Sequence, residues 1–349
     1  MKKVNLIGAL KNDLDSPMTG PQRVFLNLYR QFIKSGKISI ECSWDKNVII
    51  FLKNLLASNA DIYHVFHFGV SNILALIIIK YLKRKPFYYT VHGLVHTEIQ
   101  QGSKLKKYHL IVEYLLMKYS DKVLPVSKDL KKMIIEIYKI NPQRLDVIPN
   151  GIEEYFLNVK PNFNIYQSNL KLNPGKKIIF TATGTQKIKG ITSLLKTIHA
   201  IQRDDFILVV AGPKGSIHSE VEREFDNSRI HYIGTLNRAE LLSAYYYSDI
   251  YIQNSIYETF GIAPLEALAL GKPVIISENV QMKTLLEGTS LDKYIVPYVE
   301  GNNKLLEEKL NILLDSKILR ENLGEIGSKV ALENTWEKRV GEYIDTWTN

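Results

Sequence analysis

The chain has 349 residues, 45% of them apolar and 23% charged, proportions of an ordinary soluble globular protein that exclude a disordered chain, a collagen and a coiled-coil rod. That length fits two domains at roughly 100–200 residues each. The net charge is +9 and Cys42 is the single cysteine, which excludes a disulfide framework and a cysteine-based zinc site and fits a reducing compartment.

Met1-Lys2-Lys3 precedes an apolar stretch over residues 4–10 that is too short for a secretory signal. Residues 4–9 read as a buried strand. Gly20-Pro21 punctuates, and Val24, Leu26, Leu28, Phe32 and Ile33 follow at loosely helical spacing. Residues 60–66 read as a strand and 72–82 as a helix ending in Lys80, Lys83, Arg84 and Lys85, cations that suit the negative end of its dipole. The greasiest run, residues 73–79, is far short of the ~20 needed to span a bilayer, so a cytoplasmic location is expected. Pro86 precedes a strand at 87–91. A helix at 105–119, a strand at 122–126, a helix at 128–138 and a strand at 145–148 complete the first series.

Residues 154–175 hold Pro161, Pro174, Gly175 and several Asn with little periodicity, and read as a linker. The pattern then restarts. Strands are expected at 177–182, 206–211, 230–233, 250–253 and 273–277, with helices at 191–202, 241–247 and 264–269. Two alternating series imply two doubly wound α/β domains with parallel sheets, residues 1–155 and 156–334, each binding ligands beyond the carboxyl ends of its strands. With two domains, the cleft between them is the expected site.

Charge is uneven between the halves. Residues 1–150 carry 23 Lys and Arg against 11 Asp and Glu, and the remainder 22 against 25. This is either a solvated basic surface or a face turned towards an anionic membrane or phosphorylated acceptor. Lys104, Lys106 and Lys107 stand beside Leu110, Ile111 and Leu115. That helix either touches a membrane or packs on its sheet with solvated lysines at one end.

The richest segment is Ser255-Ile256-Tyr257-Glu258-Thr259-Phe260-Gly261-Ile262-Ala263-Pro264-Leu265-Glu266. Gly261 allows close backbone approach, and Pro264 suits a first helical turn. Amides at such a helix start can hold a phosphate. Glu266 could accept bonds from paired hydroxyls, as a ribose offers. Alternatively both acids are ordinary helix-start residues favoured by the dipole.

This segment resembles the Glu-x(7)-Glu signature of glycosyltransferase family four, whose two-domain fold is called GT-B; Glu258 and Glu266 match its two acids. Asn254-Ser255 stands where the family usually has Pro-Ser. Gly271-Lys272-Pro273-Val274 matches its Gly-x-Pro-Val, Pro149-Asn150-Gly151 its interdomain turn, Val91-His92-Gly93 its His-Gly, and Val126-Ser127 its next strand end. Gly20, Gly212 and Gly234 fall where the family has glycines. Trp336 and the closing helix, residues 335–349, resemble the segment that returns to the first domain. The resemblance spans essentially the whole chain. In the family, Gly-Arg and a nearby Lys-Gly clamp the donor diphosphate; here Ala182-Thr183 and Lys189-Gly190 align with them. The fork-shaped cation is lost. Either Lys187 compensates, or hydroxyls of Thr183 and Thr185 hold phosphate oxygens, or the leaving group is poorly stabilised.

The resemblance implies a retaining, metal-independent hexosyltransferase without a cofactor. It would move a sugar from a nucleoside-diphosphate donor to a saccharide or polyprenyl-linked acceptor, as in bacterial cell-surface polysaccharide or capsule assembly. His92, Glu258 and Lys189 would be catalytic, and Gly20, Thr183, Lys189, Phe260, Gly261 and Glu266 would bind the donor. Taken alone, His92 is equally a packed or capping histidine. Asp13-x-Asp15 reads as surface acids rather than a metal motif. A non-catalytic carbohydrate-binding relative of the same fold is the rival reading, motivated by Thr183. Nucleic acid is not expected as a partner, since no recognisable module accompanies the basic half.

Overall fold

The structure, a computed structural model, describes residues 2–8, 20–100, 105–168, 175–226 and 229–348. It divides into two compact units, residues 1–151 with 336–349, and residues 152–335.

The first unit runs β1 (Lys3–Ile7), α1 (Gly20–Ser35), β2 (Ser39–Cys42), α2 (Val48–Ala57), β3 (Ile62–Val65), α3 (Val70–Ile77), β4 (Phe87–Val91), α4 (Val95–Gln100), α5 (Tyr108–Tyr119), β5 (Lys122–Pro125) and α6 (Lys128–Tyr138). Its strands form one parallel sheet, in the order β2-β1-β3-β4-β5. Val4 pairs with Ile62, Tyr63 with Phe87 and Tyr89 with Val123. Val4, Leu6, Val65, Phe87 and Val91 are all wholly buried, the continuous apolar run of a sheet covered on both faces. The helices α2, α3 and α5 pack side by side. The helix expected at 72–82 is α3 followed by a wider π-helical turn, Ile78–Lys83, which stops at Arg84 in the left-handed region (φ 54°). The strand expected at 145–148 is only a single parallel bridge between Val123 and Leu145. Ser127, expected to close a strand, caps α6 by accepting a bond from Leu130 N–H (3.2 Å).

The second unit runs α7 (Glu154–Asn158), α8 (Ile165–Ser168), β6 (Lys177–Thr181), α9 (Ile191–Ala200), β7 (Phe206–Val210), α10 (His218–Val221), β8 (Ile230–Tyr232), α11 (Arg238–Tyr247), β9 (Ile250–Gln253), α12 (Ile262–Ala269), β10 (Val274–Ser277), β11 (Ile295–Val296), α13 (Lys304–Asp315) and α14 (Lys317–Glu333). Its six strands are parallel in the order β11-β10-β9-β6-β7-β8. Order reverses between β6 and β9, so the loops leaving those neighbours diverge and open a crevice at their carboxyl ends. The described part of the segment read as a linker is packed against this unit. Phe156, Ile165 and Tyr166 are buried, and the Tyr166 hydroxyl donates to the Ala244 carbonyl (2.6 Å).

The chain then returns to the first unit as α15 (Trp336–Thr348), packed on α1. His64 fastens it. Trp347 Nε1–H donates to His64 Nδ1 (3.1 Å), which leaves the ring proton on Nε2 to reach Thr90 Oγ1 (2.8 Å). Phe32, Tyr343 and Trp347 stack around the same point, and Lys2 Nζ donates to the Trp347 carbonyl (3.0 Å).

Candidate functional site

In the second unit the loops after β6 and β9 are tied together by backbone. Ile256 N–H donates to the Ile188 carbonyl (2.9 Å). Gly190, at φ 65°, lies so close to Asn254 that a Cβ there would stand 1.9 Å from its carbonyl oxygen, so only glycine lets the loops meet. That contact brings Lys189 and Glu258, 69 positions apart, into an ion pair, with both side chains about three-quarters buried or more. Gln253 Nε2 also donates to Glu258 Oε2 (3.2 Å). The Glu258 backbone is held by Asn279 and Gln281.

Glu266 lies one helical segment away, on α12, and is buried. A run of polar groups links it to Glu258. Tyr251 donates to Gln253 Oε1 (3.0 Å), and its hydroxyl neighbours that of Tyr245, which donates to Glu266 Oε2 (3.0 Å). Burial raises the Tyr251 phenol far above its ordinary value, with the charges of Glu266 and Glu258 adding to it, so this hydroxyl stays a protonated donor. The first turn of α12 has no side-chain cap, and its amides are the free end of a helix dipole. Gly261 supplies the N-cap at φ 96°, where a Cβ would meet Val280 Cγ1 at 2.6 Å.

Thr183 is buried, its hydroxyl 3.2 Å from that of Thr181. Thr185 Oγ1 accepts from Gly215 N–H (2.8 Å) and meets His218 Nδ1 (3.2 Å), which pins the loop after β7. Both hydroxyls are therefore already engaged, while Lys187 is exposed. Phe260 is buried in the core, and its carbonyl accepts from Met282 N–H (2.6 Å).

In the first unit His92 follows β4 and His67 follows the adjacent β3. Burial pulls the His92 imidazole down to about 4, with His67 nearby adding to the shift, and burial alone brings His67 to about 4. Both rings are neutral at pH 7. Among the described residues neither His92 Nε2 nor His67 Nδ1 has a hydrogen-bond partner, though both atoms are buried. Two unsatisfied neutral imidazoles at strand carboxyl ends can serve a ligand by accepting or donating one bond each.

The loop carrying His92 is held from beneath by Glu113. Its carboxylate accepts from Val95 N–H (3.1 Å to each oxygen) and from the Tyr138 hydroxyl. Burial, the dominant cause, lifts this carboxyl to about 7. Gly20 is exposed at the start of α1, and no described residue stands within 4 Å of where a side chain would begin. The loop before it, with Asp13 and Asp15, lies outside the described residues, as do Ala9, Lys104 and Pro174. Sequence reasoning missed His67, Glu113 and the Gln253-Tyr251-Tyr245 run. The His-x-x-His spacing around His67 was a readable signal, whereas the other partners meet only through the fold. Among the described residues no group of three or more His, Cys, Asp or Glu is arranged to hold a metal.

Comparison with known proteins identifies the family and the fold. A family model for glycosyltransferase family 4 matches residues 20–154, and one for group 1 glycosyl transferases matches residues 162–330. An uncharacterized glycosyltransferase of Methanocaldococcus jannaschii is 30% identical over 213 residues, 57% of this chain and 53% of that protein. The UDP-Gal:alpha-D-GlcNAc-diphosphoundecaprenol alpha-1,3-galactosyltransferase of Escherichia coli is 23% identical, over 87% of this chain and 80% of that protein. The match to the archaeal relative thus spans about half of its length. The solved structure of Anabaena HepE in complex with UDP and glucose covers 100% of both chains with a TM-score of 0.76 at 14% identity, which establishes the GT-B fold. The two family models together account for most of the sequence, and the chain belongs to glycosyltransferase family 4.

Proposed function

We propose that this chain is a retaining glycosyltransferase that moves a sugar, a hexose type, from a nucleoside-diphosphate donor to a saccharide or polyprenyl-linked acceptor. The observation that carries this reading is the Lys189–Glu258 pair beside the uncapped start of α12, at the carboxyl ends of the strands where sheet order reverses. As the bond from the anomeric carbon to the diphosphate oxygen breaks, negative charge grows on that oxygen. Lys189 and the α12 amides stabilise it without need of a metal. The acceptor hydroxyl oxygen joins the same face of an oxocarbenium-like centre and passes its proton to the departing phosphate. Glu258 holds hydroxyls of the transferred sugar, Glu266 those of the ribose, with Gly261 and the backbone at Phe260 close to the donor. His92 offers its neutral Nε2 to the sugar.

A donor diphosphate must compete with Glu258 for Lys189, so donor binding itself rearranges the pair. The diphosphoundecaprenol in the name of the Escherichia coli relative favours a lipid-linked acceptor; assembly of a surface polysaccharide or capsule at the inner face of a plasma membrane is part of the same proposal. The test is transfer from UDP-, GDP-, ADP- and dTDP-sugars with chelator present, and the product anomer read by NMR. An inverted product, or transfer only with added metal, refutes the mechanism.

The engaged hydroxyl of Thr183, where the family has Arg, favours a second reading, a carbohydrate binder without turnover. In that case donor sugars raise the melting temperature and no product forms.

A further inference from the structure

The outer face of the helical layer formed by α2, α3 and α5 carries the wrong chemistry for water. On α3 and its π-helical continuation the buried stripe is Asn72, Ala75, Leu76 and Ile79. The opposite stripe, which should be polar on a surface helix, is Val70, Leu74, Ile77 and Tyr81, with exposures of 44–66%. Leu82, at 69%, extends it. The neighbouring α2 exposes Val48, Ile49, Ile50 and Leu56, and α5 exposes Tyr108, Ile111 and Tyr119. Of 19 large apolar side chains exposed among the described residues, 12 lie on these three adjacent helices and the turn.

Charge on the same elements is one-sided. Their single acid is Glu113, and it is wholly buried. Lys53 and Lys118 on these helices, and Arg84, Lys106 and Lys107 at their ends, are all exposed, while Asp121 just beyond α5 is already paired with Lys80 (2.7 Å). We infer that this face docks on an anionic lipid bilayer, with the apolar stripe entering the headgroup boundary and the cations meeting lipid phosphates. A second copy of the chain fits poorly, because two such faces bring lysines together with only Asp121, already paired with Lys80, to offset them. Helix α5, with Lys106 and Lys107, forms one margin of this surface, and α3 its centre. The inference deepens the proposed reaction by giving a lipid-linked acceptor a surface to arrive from, and on that point it rests on that reading; the docking itself does not.

The test is flotation of the full chain with vesicles of phosphatidylcholine alone or mixed with phosphatidylglycerol. Binding to the mixed vesicles, weakened by salt, is expected. The double variant Ile77→Glu/Leu82→Glu should lower the bound fraction about tenfold. Ile318→Glu/Leu332→Glu, equally exposed on the second unit, should leave it unchanged. Melting curves confirm that both variants fold. Equal binding by parent and Ile77→Glu/Leu82→Glu overturns the inference, as does no flotation with either vesicle. A dimer in sedimentation velocity that Ile77→Glu/Leu82→Glu dissolves, without vesicle binding by the parent, overturns it in favour of self-association. Loss of sugar transfer with flotation intact refutes the proposed reaction and leaves this surface standing.

Discussion

The two units share one architecture and differ in what they place at the carboxyl ends of their strands. The second unit holds opposite charges there, Lys189 and Glu258, which satisfy each other. The first holds two neutral imidazoles, His67 and His92, with buried nitrogens unsatisfied. The contrast repeats on the outside. Among the described residues, fourteen of the 19 exposed large apolar side chains lie in the first unit and five in the second. Ordered charge suits a phosphorylated donor, which must be gripped as its own charge grows. Neutral groups and an apolar, acid-poor flank suit a partly lipidic acceptor. The same scaffold thus specialises by where it spends ions, and each half can be challenged separately.

The largest expected effect is on the charged half. Lys189→Met should lower kcat by about 10²–10³, or roughly 3–4 kcal/mol of transition-state stabilisation, measured as initial transfer rate at saturating donor. Turnover close to the parent's would remove Lys189 from the chemistry and leave the pair a structural tie.

Next comes a titration in the neutral half. Glu113 is raised from an unfolded value of 4.5 to about 7, so the folded state holds its proton more tightly than the unfolded chain. Its contribution is full below about 4.5 and is lost as pH rises through about 7, a change on the order of 3 kcal/mol. Glu113→Gln should therefore flatten the fall in melting temperature between pH 5 and 8. His67 and His92 act with the opposite sign. Their lowered values, about 4 against 6.5, give stability that disappears as pH drops from 6.5 through 4. A Glu113→Gln profile that still falls as steeply above pH 5 would mean this carboxyl is not the titrating group.

A smaller effect probes the competition between phosphate and Glu258. Glu258→Gln keeps the shape, frees the Lys189 ammonium and should tighten UDP binding several-fold in calorimetry, about 1 kcal/mol for a largely buried pair that still reaches solvent, while turnover falls. Unchanged UDP affinity would show that the pair and the diphosphate do not share Lys189. The smallest is Tyr245→Phe, which removes one donor to Glu266. A loss of about 1 kcal/mol in donor KM, with kcat little changed, is expected.

Much of this was legible in the sequence. β4, α6 and β9 fall where apolar runs and turn residues put them, because buried parallel strands announce themselves as short continuous apolar segments. Glu258 and Lys189 stand in short loops near Gly261 and Gly190, and Glu266 in the helix that follows; they stood out in the sequence through the family-four signature it resembles. β2 and α2 were not. Helix α2 reads VIIFLKNLLA, apolar almost all round, so the alternation of wet and dry faces that marks a helix is missing. The property that hid it is the one that makes its outer face a docking surface. Helices α13 and α14 carried readable signals, Leu306, Leu310, Leu313 and Leu314 at helical spacing and Asn303 and Ser316 as caps, yet sequence reading passed over them. Glu113 and Tyr138 were illegible in a stricter sense. Nothing in the stretch between two residues 25 positions apart says that a carboxyl and a phenol will meet beneath a third segment.

The return of α15 to the first unit has a consequence for biosynthesis. Phe32, His64 and Thr90 wait for Tyr343 and Trp347, so the half translated first is the half finished last. While residues 152–335 emerge from the ribosome and can fold as a continuous stretch, the earlier sheet keeps an aromatic socket open. A nascent chain halted before residue 336 leaves that socket unfilled, and quality-control factors would meet it as a greasy, half-built Rossmann layer.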